Sequence, residues 1–172
     1  LNMRGAKESV LPLVPIFLTF IITHVFAILY TLTTHLSDFS AVAHTTVSDI
    51  QQTSSQLGMA GMLILIMRAY SMGAGTYTGI EAVSNGIPIL REPKVETAKK
   101  AMRYMAFSLS FMVVGLMLGY LLYKVEHQPG KTLNAVFFEN VAAGWGSSGY
   151  IFVLITLVSE AVILFVAAQT GF

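Results

Sequence analysis

The chain has 172 residues, 55% of them hydrophobic and only 11% charged, with a net charge of +1 and no cysteine. Soluble domains carry about 25% charged residues, so this composition, with a mean hydropathy of +0.69, excludes a purely aqueous domain and makes lipid part of the solvent. It also excludes disulfides, thiolate metal sites and cysteine nucleophiles, and it offers no basic stripe for nucleic acid.

In chain order, Leu1 to Val10 lacks the basic start, apolar run and small residues of a signal peptide. The sequence begins and stops in mid-pattern and reads as a fragment of a longer protein. A first span is expected over residues 10–32, which contain no Asp, Glu, Lys or Arg; about 20 such residues cross a bilayer core. Pro12 sits easily near its start, and Pro15 is expected to bend it. Residues 33–57, polar and rich in Ser and Thr, read as an outer loop. The apolar stretch from Leu57 to Leu90 exceeds one span. Arg68 and Arg91 bracket 22 residues, so a second span is expected over 69–90, with an arginine snorkelling at each end and Leu57–Met67 at the outer interface or continuing the helix.

The inner loop is expected at 91–104, the third span at 105–123, and a second outer loop at 124–149. Within that loop, Thr132–Ala142 could form a short interfacial helix. The fourth span is expected over 150–168, with Glu160 as its sole charge. Trp145, Tyr150, Tyr120, Tyr123, Tyr104 and Tyr30 fall near span ends, as an aromatic belt would. Seven Lys and Arg (Arg4, Lys7 and five in Arg91–Arg103) fall on one side and two (Lys124, Lys131) on the other. The N-terminus and the 91–104 loop are therefore expected in the cytoplasm. The expected fold class is an all-α polytopic membrane protein with four transmembrane helices, residues 1–172 forming one transmembrane piece.

The segment from Gly73 to Glu81 is the most informative. Gly73, Gly75 and Gly79 stand in the middle of the second span, and each weakens a helix by up to about 1 kcal/mol relative to Ala. Irregular backbone within a bilayer occurs only where it is buried in protein or lines a cavity, so a break near 73–79 suggests a binding site. Glu81 follows, three residues after Thr78 and on the same face if the helix resumes. A carboxylate there needs a partner, water or a proton. The competing reading gives the glycines to helix packing and Glu81 to a structural hydrogen bond. Glu160, one turn after Thr156, reads equally as a second proton or ion group or as a buried carboxyl bonded to a neighbouring helix. His24 reads as structural, Arg68 as an interfacial anchor, and Met59, Met62, Met67 and Met72 as packing. The four histidines, His24, His35, His44 and His127, include no pair at metal-ligand spacing.

The run Tyr77-Thr78-Gly79-Ile80-Glu81-Ala82-Val83-Ser84-Asn85-Gly86-Ile87-Pro88, followed by Arg91-Glu92-Pro93-Lys94, resembles the sixth helix of amino acid–polyamine–organocation (APC) permeases. Within that superfamily it looks closest to KimA-type potassium–proton symporters. Leu164 to Phe172 is similar to the end of helix eight. The resemblance implies helices five to eight of an APC/LeuT-type inverted-repeat transporter fold. It implies that Thr78 and Glu81 help coordinate potassium, that the unwound Gly75–Gly79 backbone and Tyr77 face the substrate, and that Glu81, with Glu160 as a further candidate, couples to protons. Gln169 stands where the pattern has Asn. Potassium and protons would be cargo, with no cofactor. The partners would be the bilayer, the remaining helices of the full-length transporter and, as a further state, a second copy in a homodimer. The function expected is proton-coupled potassium uptake across the cytoplasmic membrane, not enzyme chemistry. Alternatives are a proton-coupled amino acid permease on the same fold, which Gly75 disfavours where several such permeases carry a bulky aromatic gate, or a non-transporting membrane scaffold subunit.

Overall fold

A computed structural model describes residues 12–73, 86–87 and 90–169. Regular structure among the described residues is helical: α1 (Leu13–Thr34), a 3-10 turn (Leu36–Asp38), α2 (Phe39–Gly73), α3 (Lys94–Leu122), α4 (Leu133–Ala142) and α5 (Ser147–Gln169). Among the described residues, three helices are long and apolar enough to cross a membrane, over Leu13–Thr34, Lys94–Leu122 and Ser147–Ala168. At about 1.5 Å per residue, 22 residues reach roughly 33 Å, matching a hydrocarbon core of about 30 Å. The expected second span lies mostly outside the described residues, its break included.

Two expectations about loops are corrected. Residues 33–57 are not a loop throughout, because α2 begins at Phe39. Their hydroxyls bond back to the helix's own carbonyls, Thr45 Oγ1 donating to Ala41 O at 3.0 Å and Ser55 Oγ to Gln52 O at 2.7 Å. Such bonding lets a Ser- and Thr-rich segment stay helical. Gly58, at φ 66° and ψ 172°, is non-helical and divides α2 in two. That region of backbone space is essentially reserved for glycine. Residues 94–104 of the expected inner loop are also helical. Lys, Ala, Met and Arg are good helix formers, and Glu96 lies in the first turn, where the helix dipole favours an anion. The charges of α3 end at Arg103, and the helix runs uncharged from Tyr104 to Leu122. In α1, helix begins at Leu13, so Pro15 falls in the first turn, where a missing N–H leaves no intrahelical bond unmade.

The chain divides into two units, one within Leu1–Asp38 and Val114–Phe172, the other within Phe39–Val113. In the second unit, α2 buries none of its side chains. The first unit has a core built around α4. The Thr132 side chain caps this helix by accepting from Ala135 N at 3.1 Å, a bond whose loss costs about 1 kcal/mol. Phe137 and Phe138 are completely buried, with Val136, Val141 and Ala27 beside them.

Close approach onto α3 is made at Gly115 and Gly119, a small-xxx-small pair of the kind that lets membrane helices touch. A Cβ on Gly115 would stand 2.6 Å from Ile28, and one on Gly119 would stand 2.6 Å from the Phe137 ring. With Ile28 beside Gly115 and the His35 ring 4.5 Å from that of Tyr123, α1 and α3 run parallel. Tyr30 meets Trp145 at 5.2 Å and Phe26 meets Phe152 at 5.8 Å, while Val14 and Phe17 share a hollow with Ile163 and Val166. Numbers rise on α1 as they fall on α5, so that pair is antiparallel. Ile22, Leu29, Ile151, Leu154, Val158, Leu164 and Phe165 remain about half exposed or more, an outer face that suits lipid or further helices and not water.

Because Ile28 and Phe137 are fully buried, neither can move aside cheaply. Gly119→Ala and Gly115→Ala should each destabilise the full-length protein by about 1–3 kcal/mol through overpacking. Thermal unfolding in detergent should register the loss, with Gly144→Ala, where a Cβ meets nothing within 4 Å, leaving the midpoint unchanged.

Candidate functional site

Gly75, Tyr77, Thr78, Gly79 and Glu81 lie outside the described residues. The remaining candidate, Glu160, is half-buried in the middle of α5 and joined to two other helices. Its Oε1 accepts from Asn134 Nδ2 at 2.7 Å. The Oδ1 of the same Asn134 accepts from the Tyr120 hydroxyl. Glu160 Oε2 is buried with no hydrogen-bond partner among the described residues. Three helices thus meet in one polar chain running phenol to amide to carboxyl.

Local sequence places each member. Tyr120 stands at the end of α3, where the helix closes with Lys124 N donating to Leu121 O at 3.3 Å and Val125 N to Tyr120 O at 2.8 Å. Lys124 takes the left-handed φ of 48° that this paired-bond ending requires. Asn134 lies in the first turn of α4, held there by the Thr132 cap. Phe138, one turn further along the same face, puts its ring 4.8 Å from His24, so the helix that seats its aromatic on α1 also presents its amide to α5. On the same helix Glu139 pairs with Lys131 at 2.6 Å; half exposed, the pair contributes little stability.

Chemically, the chain is polarised toward Glu160. Ionised carboxylates only accept hydrogen bonds, and both donors upstream point their hydrogens that way. No Lys or Arg occurs in α1, α4 or α5, the basic residues of α3 end at Arg103, and among the described residues no ion pair joins Glu160. Carboxylates bonded by a charge-assisted donor gain about 1.5–3 kcal/mol per bond. Of the two sequence-level readings of Glu160, the bond to a neighbouring helix is observed.

His24 is 1% exposed, packed between Phe20 at 4.0 Å and Phe138, with Nδ1 bonded to Phe20 O at 2.8 Å. A carbonyl oxygen can only accept, so the proton sits on Nδ1. This is the packing role the sequence suggested. The hollow lined by Leu13, Val14, Ile16, Phe17, Ile163 and Val166 is apolar and offers no ligand to an ion. Among the described residues no three His, Asp or Glu side chains cluster as a metal site.

Sequence reasoning missed Asn134 and Tyr120. A signal was present: Asn134 is a primary amide in an otherwise apolar turn, within a segment already read as a short helix, and Glu160 needed a partner. Tyr120 was absorbed into the aromatic belt.

Over its whole length the chain is similar to the protein named Potassium transporter KimA from Bacillus subtilis (strain 168), at 29% identity over 174 aligned residues. The chain spans 27% of the length of that relative. No family model matches it, and no solved structure matches it.

Replacing Asn134 by Leu leaves the Glu160 carboxyl buried without its donor. Asn134→Leu should therefore destabilise the full-length protein by about 1–3 kcal/mol, and by clearly less in a Glu160→Leu background. A double-mutant cycle by chemical unfolding measures the coupling; a coupling of zero would mean that the bond contributes nothing.

Proposed function

We propose that this chain is part of a proton-coupled secondary transporter that takes up potassium across the cytoplasmic membrane, with an APC/LeuT-type fold. One observation carries the reading: the likeness to the Bacillus subtilis potassium transporter extends along the entire chain. The three apolar helices support a membrane setting.

The helix directions support a fourth crossing. Two spans that run parallel, as α1 and α3 do, need one crossing of opposite direction between them in the chain. Residues 69–90 have the length and hydropathy for it. On this reading the N-terminus and residues 91–104 face the cytoplasm, following the Lys and Arg bias.

Thr78 and Glu81 then serve as ion ligands beside a backbone unwound between Gly75 and Gly79, with Tyr77 at the site. Hard oxygen ligands suit an alkali cation, and a membrane-embedded carboxylate that alternates between cation and proton couples the two fluxes. Glu160 acts as a second proton-binding group. The other helices of the full-length protein complete the site, and the bilayer is the working environment.

The test is rubidium uptake by the full-length protein in proteoliposomes. Removing a charged ligand worth about 1.5–3 kcal/mol should weaken apparent rubidium affinity roughly tenfold or more, so Glu81→Gln should lose most uptake and its dependence on pH. Unchanged pH-dependent uptake would sink the role of Glu81. Sidedness is checked separately with single cysteines in a cysteine-free background: a membrane-impermeant maleimide applied from outside should label Gln128→Cys and spare Lys100→Cys.

A further inference from the structure

Asn134 has one amide and two unlike neighbours. The Tyr120 hydroxyl donates to Oδ1, which turns the carbonyl of the amide toward α3 and its NH2 toward α5. The NH2 reaches Glu160 Oε1 at 2.7 Å. An amide NH2 cannot accept, so a proton on Oε1 would face another donor at hydrogen-bond distance. Turning the amide over would relieve that clash only if the Tyr120 hydroxyl reversed with it, from donor to acceptor, so the whole chain would have to invert. Glu160 Oε2 has no such obstacle: it is buried and has no partner among the described residues.

We propose that Asn134, held in orientation by Tyr120, is a positioning residue that reserves Glu160 Oε1 as an acceptor and directs proton binding to Oε2. The proposal rests on the reading of Glu160 as a proton-binding group given above. A proton from water forms an O–H bond at Oε2 and returns to water on release; no other bond changes. Oε1 accepts from Asn134 in both states, so α4 stays fastened to α5 whether Glu160 is charged or neutral, and the proton alters only the Oε2 side.

The neighbouring titratable groups leave this assignment intact. From α3 the group is Tyr120, already committed to Asn134. On α1 they are Tyr30 and His24, the latter bonded through Nδ1 to Phe20 O. On α4 Glu139 is paired with Lys131, and on α5 Tyr150 is exposed near the helix start.

The test reads the carboxyl itself, by infrared spectroscopy of the full-length protein in lipid as the pH is lowered. A protonated Glu160 should give a carbonyl stretching band that is missing in Glu160→Gln. In Asn134→Leu the same band should move to higher frequency, because its carbonyl oxygen has lost a donor. Tyr120→Phe keeps the ring, frees the amide to turn and should move the band part of the way; it decides the matter where Asn134→Leu does not fold. Absence of any Glu160-dependent band across the range in which the protein stays folded overturns the proposal, as does a band unmoved by whichever variant folds. Failure of rubidium uptake would overturn the transport reading and leave this band to be judged separately.

Discussion

The seating of α4 is the constraint on which the first unit depends. Ten residues long, this helix is too short to be stable alone, and it is held by what it buries. Phe137 lies on the bare backbone of Gly119, Phe138 packs against His24, and both rings are wholly enclosed. Where lipid surrounds the protein, burying an apolar ring gains little from expelling water, so the favourable term is close packing and dispersion. That term is sensitive to fit, which is why two glycines without side chains matter as much as two phenylalanines with large ones. Once Phe138 is fixed, Asn134 is fixed one turn earlier on the same face, and its amide meets Tyr120 on one side and Glu160 on the other.

Much of this was legible in the sequence because it follows from length and polarity. The absence of charge over residues 10–32 and the single charge over 150–168 predict two helices that the structure contains as Leu13–Thr34 and Ser147–Gln169. The mixture of Leu, Val and Phe with polar groups over Thr132–Ala142 suggests a short helix, and Leu133–Ala142 is one. Residues 33–57 were misread for a physical reason. Ser and Thr weaken helices when their hydroxyls compete for the backbone, but the same hydroxyls can bond to carbonyls a turn behind and stay within the helix, and composition does not distinguish the two. The polar chain through Glu160 was illegible for another reason. Residues 120, 134 and 160 are each separated by more than a dozen positions, and only packing brings them together. The segment from Gly75 to Glu81, where the sequence speaks most plainly of a binding site, lies outside the described residues.

Direction is a second thread that joins the parts. The parallel run of α1 and α3 and the reversal at α5 come from ring contacts and from one glycine–isoleucine approach, not from charge. The Lys and Arg bias depends on the cytoplasmic preference of basic residues during insertion, which is a different physical cause.

The break at Gly58 has a consequence for how the two halves of α2 share a register. Along an unbroken helix, each inserted residue turns everything beyond it by about 100°, and a membrane helix so turned would present the wrong stripe to its surroundings. Gly58 lies between a polar helical stretch and an apolar one, and its backbone angles of φ 66° and ψ 172° interrupt the helical phase. The two halves of α2 are therefore separate helices, and the stripe of the apolar half is counted from Met59 onward and not from Phe39. The glycine works as a corner, so that the polar half and the apolar half need share neither one axis nor one environment.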